Sequence, residues 1–328
     1  MKNAIQRRDA LLSLAAGLGS LASLPSALAQ AAYPSKPIRV IVPYAPGGAT
    51  DILARVIAAK LQDAWGQTVI VDNRPGASGV LGNDVVAKAA PDGYTVLLGI
   101  TAMVQLATLM KLPYDTAKDF IPITQLAVST SVLAVPAATP VKTVAEYVAL
   151  VKSQPGKHGY GSFGAGTSAH IQGELFKSQT GTDLVHVPYK GSAPMVNDLL
   201  GGQLSCAFLD VGSSRGHFKS GALRPLAATG TERLKILPDV PTFAEAGLKH
   251  FEPRGWFAYF LPAGTPAPVV SKLATELVRI IHLPDVSARI DELGLLPVGN
   301  TPEQFAAIVR NESVLYAKLI KDLHIRIE

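Results

Sequence analysis

The chain has 328 residues, 48% hydrophobic and 17% charged, with 30 Lys+Arg against 25 Asp+Glu and one cysteine. That length fits about two domains of ~150 residues, each able to bury a core, and the apolar content excludes a disordered chain. A lone cysteine excludes an internal disulfide and any multi-cysteine zinc or iron–sulfur site.

The N-terminus reads as an export signal. Lys2, Arg7 and Arg8 form a basic start, Ala10–Leu24 is apolar but broken by Gly17 and Gly19, and Ala27-Leu28-Ala29 supplies a small-x-small cleavage pattern. Residues 1–29 are therefore expected to be removed, leaving a mature chain from about Gln30. The apolar stretch is too short and too rich in Gly and Ser for a good membrane span. Arg7-Arg8 suits twin-arginine export and equally an ordinary basic leader. Removal takes Lys2, Arg7, Arg8 and Asp9, so the net charge drops by two from +5 to +3. That remaining charge is too weak and scattered for nucleic acid. A protein soluble outside the cytoplasm is expected, held by its cores alone, with Cys206 in LSCAFL as a small buried hydrophobe.

From there the elements alternate. Ile38–Tyr44 is strand-like, APGG comes next, and a helix is expected from about Thr50 to Ala64, with Ile52, Leu53, Val56, Ile57 and Leu61 on one face. Val69–Val71, the loop NRPGASG, a helix near Val80–Ala90, the turn Pro91-Asp92-Gly93 and strand Tyr94–Gly99 repeat the pattern. Such alternation predicts an α/β protein with parallel sheets and right-handed crossovers. VPYAPGGATDILA from Val42 and VPYKGSAPMVNDLL from Val187 echo one another, which suggests two related lobes. Leu126–Pro140 reads as a strand crossing between lobes and Trp256–Gly264 as the return. The first lobe would then be discontinuous, 33–130 plus 255–328, and the second 131–254. Closing helices near Pro268–His282 and Pro302–Leu323 are expected to pack on the first lobe.

Chemistry concentrates in small-residue loops between strands and helices: APGGATD (Ala45–Asp51), GASG (Gly76–Gly79), GAGTSAH (Gly164–His170) and KGSAP (Lys190–Pro194). In parallel α/β sheets, ligands sit beyond the strand carboxyl ends, where helix N-termini aim free N–H groups at them. Each loop alone could be an ordinary turn, with Thr50 and Thr167 or Ser168 as N-caps. Four of them over two lobes of an exported protein point to an anion, a carboxylate, in the cleft between. Asp51 in a helix first turn suits the helix dipole or a ligand ammonium. His170 either faces the cleft or bonds locally. Asp210 ends the strand-like SCAFLD and either approaches the cleft or acts as a turn residue capping the next segment. Lys190 is the obvious cation among the loops.

Enzyme templates fit poorly. Gly159–Gly164 matches G-x-G-x-x-G, but its first glycines fall in the expected strand, and Asp183 precedes its own strand, so no dinucleotide site is expected. Ser162 lacks the flanks of G-x-S-x-G, and no HExxH or comparable metal cluster exists. No catalytic residue, metal or cofactor is expected. The alternative is an exported hydrolase using Ser162 or Ser168 with His170.

YPSKPIRVIVPYAPGGATD, VDNRPGASGVLGNDVVAKAAPDGYTVLLG, KLPYDTAKDFIPI, YGSFGAGTSAHIQGELF, VPYKGSAPMVNDLLGGQ, LRPLAATGTERLKILPDVPTFAEAG and LPAGTPAPVV occur in this order. Over nearly the whole mature chain the sequence resembles the Bug extracytoplasmic solute receptors, substrate-binding subunits of tripartite tricarboxylate transporters. The resemblance implies a two-lobed type II periplasmic binding protein fold that closes on a small carboxylate: a di- or tricarboxylate, an amino acid or an aromatic acid. It also implies delivery to membrane permease subunits by a monomeric receptor; a sensor subunit presenting the same ligand to a signalling partner would use the same cleft. Carried over, Tyr44, Gly47, Gly48, Thr50 and Asp51 form the first-lobe loop, with Ser78 and Thr101 beside it. Ser162, Thr167, Ser168, His170, Lys190, Gly191, Ser192 and Asp210 fall in the second-lobe motifs. ITAMVQLATLM (Ile100–Met110) departs from the family's Ser-rich turn and Asn-Pro pair, on the first-lobe side of the cleft.

Overall fold

The computed structural model describes residues 33–189, 192–251 and 255–326, apart from the side chains of Ala193 and Ser213. The expected signal peptide and its cleavage site lie outside the described residues. From Lys36 onward the chain is one compact unit built on two sheets.

The first half-sheet keeps to the expected alternation. Strand β1 (Ile38–Val42) leads into α1 (Ala49–Trp65), then β2 (Val69–Asn73), a 3₁₀ turn at Ala77–Gly79, α2 (Val80–Ala87), β3 (Thr95–Ile100) and α3 (Ala102–Leu109). Leu53, Ala54, Ile57, Ala58 and Leu61 bury the inner face of α1, at helical spacing. β1 pairs in parallel with β2 and β3. The sheet continues antiparallel through β10 (Gly255–Pro262), β4 (Phe120–Ser129) and β11 (Leu295–Pro297), in the order β11-β4-β10-β3-β1-β2.

The second sheet takes β5 (Ser131–Pro136), α4 (Val144–Ser153), β6 (His158–Ser162), α5 (Ser168–Thr180), β7 (Leu184–Pro188), α6 (Ser192–Leu200), β8 (Cys206–Asp210), α7 (Val211–Lys219) and β9 (Leu223–Ala228). Its order is β7-β6-β8-β5-β9. The two sheets share one plan: three parallel strands, β2-β1-β3 or β7-β6-β8, then an antiparallel neighbour. By position β6 corresponds to β1 and β7 to β2. The echo between the two VPY segments therefore matches strands that are not equivalent: the counterpart of APGGATD is GAGTSAH, after β6, rather than the loop after β7.

Two expected crossings resolve differently. The run Leu126–Pro140 is two strands that divide at Thr130, β4 in one sheet and β5 in the other. Trp256–Gly264 is no crossing. β10 lies between β3 and β4, wholly within the first sheet, because an unbroken apolar run is also what a central strand buried on both faces requires. Gly159 and Gly161, from the accidental dinucleotide pattern, are β6 residues; a Cβ on Gly161 would stand 2.7 Å from Leu204 and 2.8 Å from Met195.

After β10 come α8 (Ala267–Ile281), α9 (Pro284–Glu292) and α10 (Pro302–Asp322). Pro302 sits just past the N-cap Thr301, which forms a capping box with Gln304. α10 packs on β4 and α3, but its Leu319 belongs to the core around Tyr147, Phe176 and Phe208, while Ile171 of α5 belongs to the core around Trp256 and Phe305. The last helix is thus shared by both lobes rather than confined to the first. Cys206 is fully buried, and burial pushes its thiol up to about 12, which removes it as a nucleophile.

Candidate functional site

A cavity of about 390 Å³ lies between the sheets, in the size range of small-molecule sites. The first lobe contributes Tyr44, Ala49, Thr50, Ser78, Ile100, Thr101, Ala102 and Gln105, and the second Phe163, Thr167, Ser168, Ser192 and Asp210. Ser129 and Ser131, on either side of the crossing at Thr130, and Gly255, Trp256 and Phe257 of β10 complete the wall. No lysine or arginine borders the cavity among the described residues, and they hold no group of three or more metal-ligating side chains.

Helices of both sheets begin at this cavity, among them α1 and α5. Gly48 caps α1 and Thr167 caps α5, both in extended backbone conformation. Neither makes a side-chain cap bond, so Thr50, Thr167 and Ser168 do not act as capping hydroxyls. Thr167 Oγ1 instead donates to the carbonyl of Gly164 at 2.7 Å, tightening the loop. The first-turn N–H groups of both helices lack intrahelical partners by construction and carry the positive end of the helix dipole. Such an arrangement suits a carboxylate even where no cation faces it.

Each loop is tied to its own helix. In the first, Gly47 N–H donates to Asp51 Oδ2 at 2.9 Å, and Asn73 Nδ2 and Arg55 also bond this carboxylate. Burial alone would raise the Asp51 carboxyl, but the bonds from Arg55, Gly47 and Asn73 outweigh it and hold it below the usual carboxylate range. Asp51 therefore shapes the loop, its carboxylate taken up by these partners, and it is not among the residues that border the cavity. In the second, Gly166 N–H donates to His170 Nδ1 at 3.0 Å, so His170 bonds locally. His170 stacks on His186 at 3.9 Å and 5°, and His186 stacks on Tyr160 at 4.9 Å. Burial lowers both imidazoles, that of His186 to about 4 with help from its neighbour.

Ser162 is fully buried and bonds His186 Nε2 at 2.7 Å, not His170. It does not border the cavity, so it presents no nucleophile there. Gly47 and Gly48 likewise act behind the wall, while Lys190 and Gly191 lie outside the described residues. Tyr44, Thr50, Ser78, Thr101, Thr167, Ser168, Ser192 and Asp210 do line it. Ser78 adopts a left-handed φ of 55°, a strained setting for a non-glycine residue at the cavity wall.

Sequence reasoning missed several wall residues. Gln105, in the atypical segment after β3, donates from Nε2 to Ser168 Oγ at 2.8 Å and so joins the lobes at the cleft. Thr101 Oγ1 accepts from Trp256 N–H at 2.7 Å, and Trp256 Nε1 donates to Glu312 of α10 at 2.7 Å. Burial pushes the Glu312 carboxyl up to about 7. Burial also raises the Asp210 carboxyl, to about 6. The apolar character of β10 is the available signal for Trp256 and Phe257, but by itself it suits a connection as well as a central strand.

The model of the tripartite tricarboxylate transporter family receptor matches residues 53–325. The protein BugT of Bordetella pertussis is 36% identical over 293 residues, covering 88% of this chain and 90% of that protein. Among solved structures, one described as a periplasmic transporter is 41% identical with a TM-score of 0.82, covering 90% of this chain and all of that one. R. palustris Rpa4515 with adipate is 34% identical with a TM-score of 0.82, covering 90% of this chain and 99% of that one. With its two sheets and the helix N-termini that meet between them, the chain belongs to the family of tripartite tricarboxylate transporter receptors.

Proposed function

We propose that this protein is a periplasmic solute receptor that captures a small carboxylate in the interlobe cavity and passes it, unchanged, to membrane permease subunits. It is exported with cleavage near Gln30 and acts as a monomer. Its lobes are 33–130 plus 255–328 and 131–254, closing by bending where the chain passes between them. The observation that carries this reading is the meeting of the α1 and α5 N-termini at one cavity whose described wall has hydroxyls but no lysine or arginine. Such a site stabilises an anion by neutral donors and offers no activated nucleophile to transform it. The adipate of Rpa4515 supports a carboxylate as the ligand class.

A thermal-shift screen of small acids tests the reading: a ligand at 100 times its dissociation constant adds ~2.7 kcal/mol of stability. Calorimetry on a hit should give stoichiometric binding, with the acid recovered intact. Thr167→Ala with Ser168→Ala should weaken binding by a few kcal/mol at most, at ~1 kcal/mol or somewhat more per bond. A cationic or sugar ligand, or turnover of the acid, would overturn it.

A further inference from the structure

We propose that Gln105 is a positioning residue for ligand capture: its side-chain amide docks the N-terminus of α5 on the first lobe and leaves the Ser168 hydroxyl proton to the ligand carboxylate. This deepens the receptor reading above and rests on it. Gln105 stands one turn after Thr101, the N-cap of α3. It borders the cavity yet is only 1% exposed, so its amide is a buried polar group that needs partners inside the protein. Its Nε2 donates to Ser168 Oγ at 2.8 Å, 63 positions on and in the other lobe.

The first lobe holds this amide in a frame. Thr101 accepts from Trp256 N–H, and Trp256 Nε1 donates to Glu312 of α10. Tyr316, one turn after Glu312, is buried, and its hydroxyl faces both Gln105 and Ser168. Burial raises the Tyr316 phenol, which therefore keeps its proton. α3, β10 and α10 thus fix the place to which α5 comes. Ile171, in the first turn of α5, belongs to the core around Trp256 and Phe305. The start of α5 is therefore docked by an apolar contact and a polar one.

The direction of the polar contact matters for the ligand. A serine hydroxyl has one proton and two lone pairs. Gln105 donates into a lone pair, so the proton remains for another acceptor. Ser168 is the first residue of α5 and borders the cavity. Its hydroxyl joins the free first-turn N–H groups of that helix as one more donor to a carboxylate. Opening the lobes parts Gln105 from Ser168, and water takes up both groups, so the net effect of the bond is modest. It acts after capture and shows in release, where most affinity differences lie.

The test uses the mature protein with Gln105→Met, which keeps the length and helix propensity and removes the donor. Gln105→Leu repeats each measurement should the first variant fold poorly by its melting curve. Without ligand, hydrogen exchange at residues 171–175 should quicken about fivefold in Gln105→Met, the scale of one neutral hydrogen bond. With Ser168→Ala already present, the same substitution should change exchange by less than about twofold, because the bond is already gone. Equal quickening in both backgrounds is a general loosening of α3 and would overturn the docking. With adipate as the probe in stopped-flow fluorescence, Gln105→Met should raise the dissociation rate about fivefold and change the association rate by less than about twofold. An unchanged dissociation rate would overturn the positioning role and leave the receptor reading intact. Failure of adipate, malate and benzoate alike to bind the unsubstituted protein would remove the receptor reading and the ligand role of Gln105 together, while the exchange measurements still decide the contact between the lobes.

Discussion

In the first lobe the N–H of Gly47 donates to Asp51, four residues on; in the second the N–H of Gly166 donates to His170, also four residues on. The two N-caps between them have nearly the same backbone, φ −80° and ψ 170° at Gly48, φ −81° and ψ 166° at Thr167. In both, the third helical residue reaches back past the N-cap to the N–H that precedes it, a relative of the capping box. The acceptors differ in chemistry. Asp51 is a carboxylate held by Arg55 and Asn73, whereas His170 is a neutral ring that must keep Nδ1 free of a proton to accept from Gly166. The same loop geometry is thus fixed by charge in one lobe and by an uncharged aromatic stack in the other, so the two respond differently to mutation and to pH.

The largest effect is expected from removing the charged anchor. Asp51→Ala strips acceptors from Gly47 N–H, Asn73 and Arg55 together. Hydrogen bonds to a charged group contribute ~1.5–3 kcal/mol, and the partners left behind are partly buried. The exposed Arg55 adds little. A loss of about 3 kcal/mol is expected in denaturant unfolding, with weakened ligand binding. A loss below about 1 kcal/mol would show that the first loop does not depend on this carboxylate.

Lowering the pH separates the two anchors. The folded pKa of each imidazole is depressed below its ordinary value, and that of His186 lies at about 4. The unfolded chain therefore binds more protons in this window. The stability that the neutral rings confer is complete above about pH 6.5 and is lost progressively as pH falls toward 4. Around the rings, Tyr160 bonds Glu174, and Glu174 pairs with Lys177. His186 is partly exposed, so the loss is expected at roughly 1–2 kcal/mol rather than the full shift. The Asp51 anchor stays ionised across that range. Burial raises the Asp210 and Glu312 carboxyls, whose contributions change in the opposite sense over this window. The imidazole loss is therefore read as the difference in slope between wild type and His186→Gln in unfolding and ligand titrations at pH 7.5, 6 and 5. An unchanged slope in His186→Gln would place the sensitivity elsewhere.

The sequence made the first loop largely readable. The spacing of Leu53, Ile57 and Leu61 and the glycines at 47 and 48 marked a strand, a tight turn and a helix start. Asp51 and His170 stood out too, Asp51 as a group facing the helix dipole or a ligand and His170 as one that faces the cleft or bonds locally; that both turn back onto N–H groups of their own loops is a matter of rotamer and neighbours. His186 did not stand out, because one histidine in LVHVP carries no periodic signal and its role depends on stacking with residues 16 and 26 positions earlier. The same limit explains the two VPY segments. Local resemblance tied β1 to β7, whereas equivalence between the sheets is set by strand order, a long-range property. Likewise the apolar content of β10 announced burial but not which neighbours provide it.

The smallest effect probes the N-cap of α1, which lacks a side chain. Gly48 takes its N-cap place with no oxygen to offer, and a Cβ there would meet only the Ala45 carbonyl oxygen, at 3.9 Å. Its φ is negative, so serine fits the backbone without strain. Gly48→Ser should add a few tenths of a kcal/mol to stability, the ordinary difference between these caps. A serine hydroxyl that accepts from the N–H of Thr50 or Asp51 takes the donors that a ligand carboxylate needs. Affinity for the cognate acid should therefore drop several-fold while the melting temperature rises slightly. The opposite signs matter more than either size: generic damage to the loop lowers both, and an inert position changes neither. Undiminished affinity in a stabilised Gly48→Ser protein would mean that the first helix holds the lobe together without holding the ligand, leaving the anion to α5 alone.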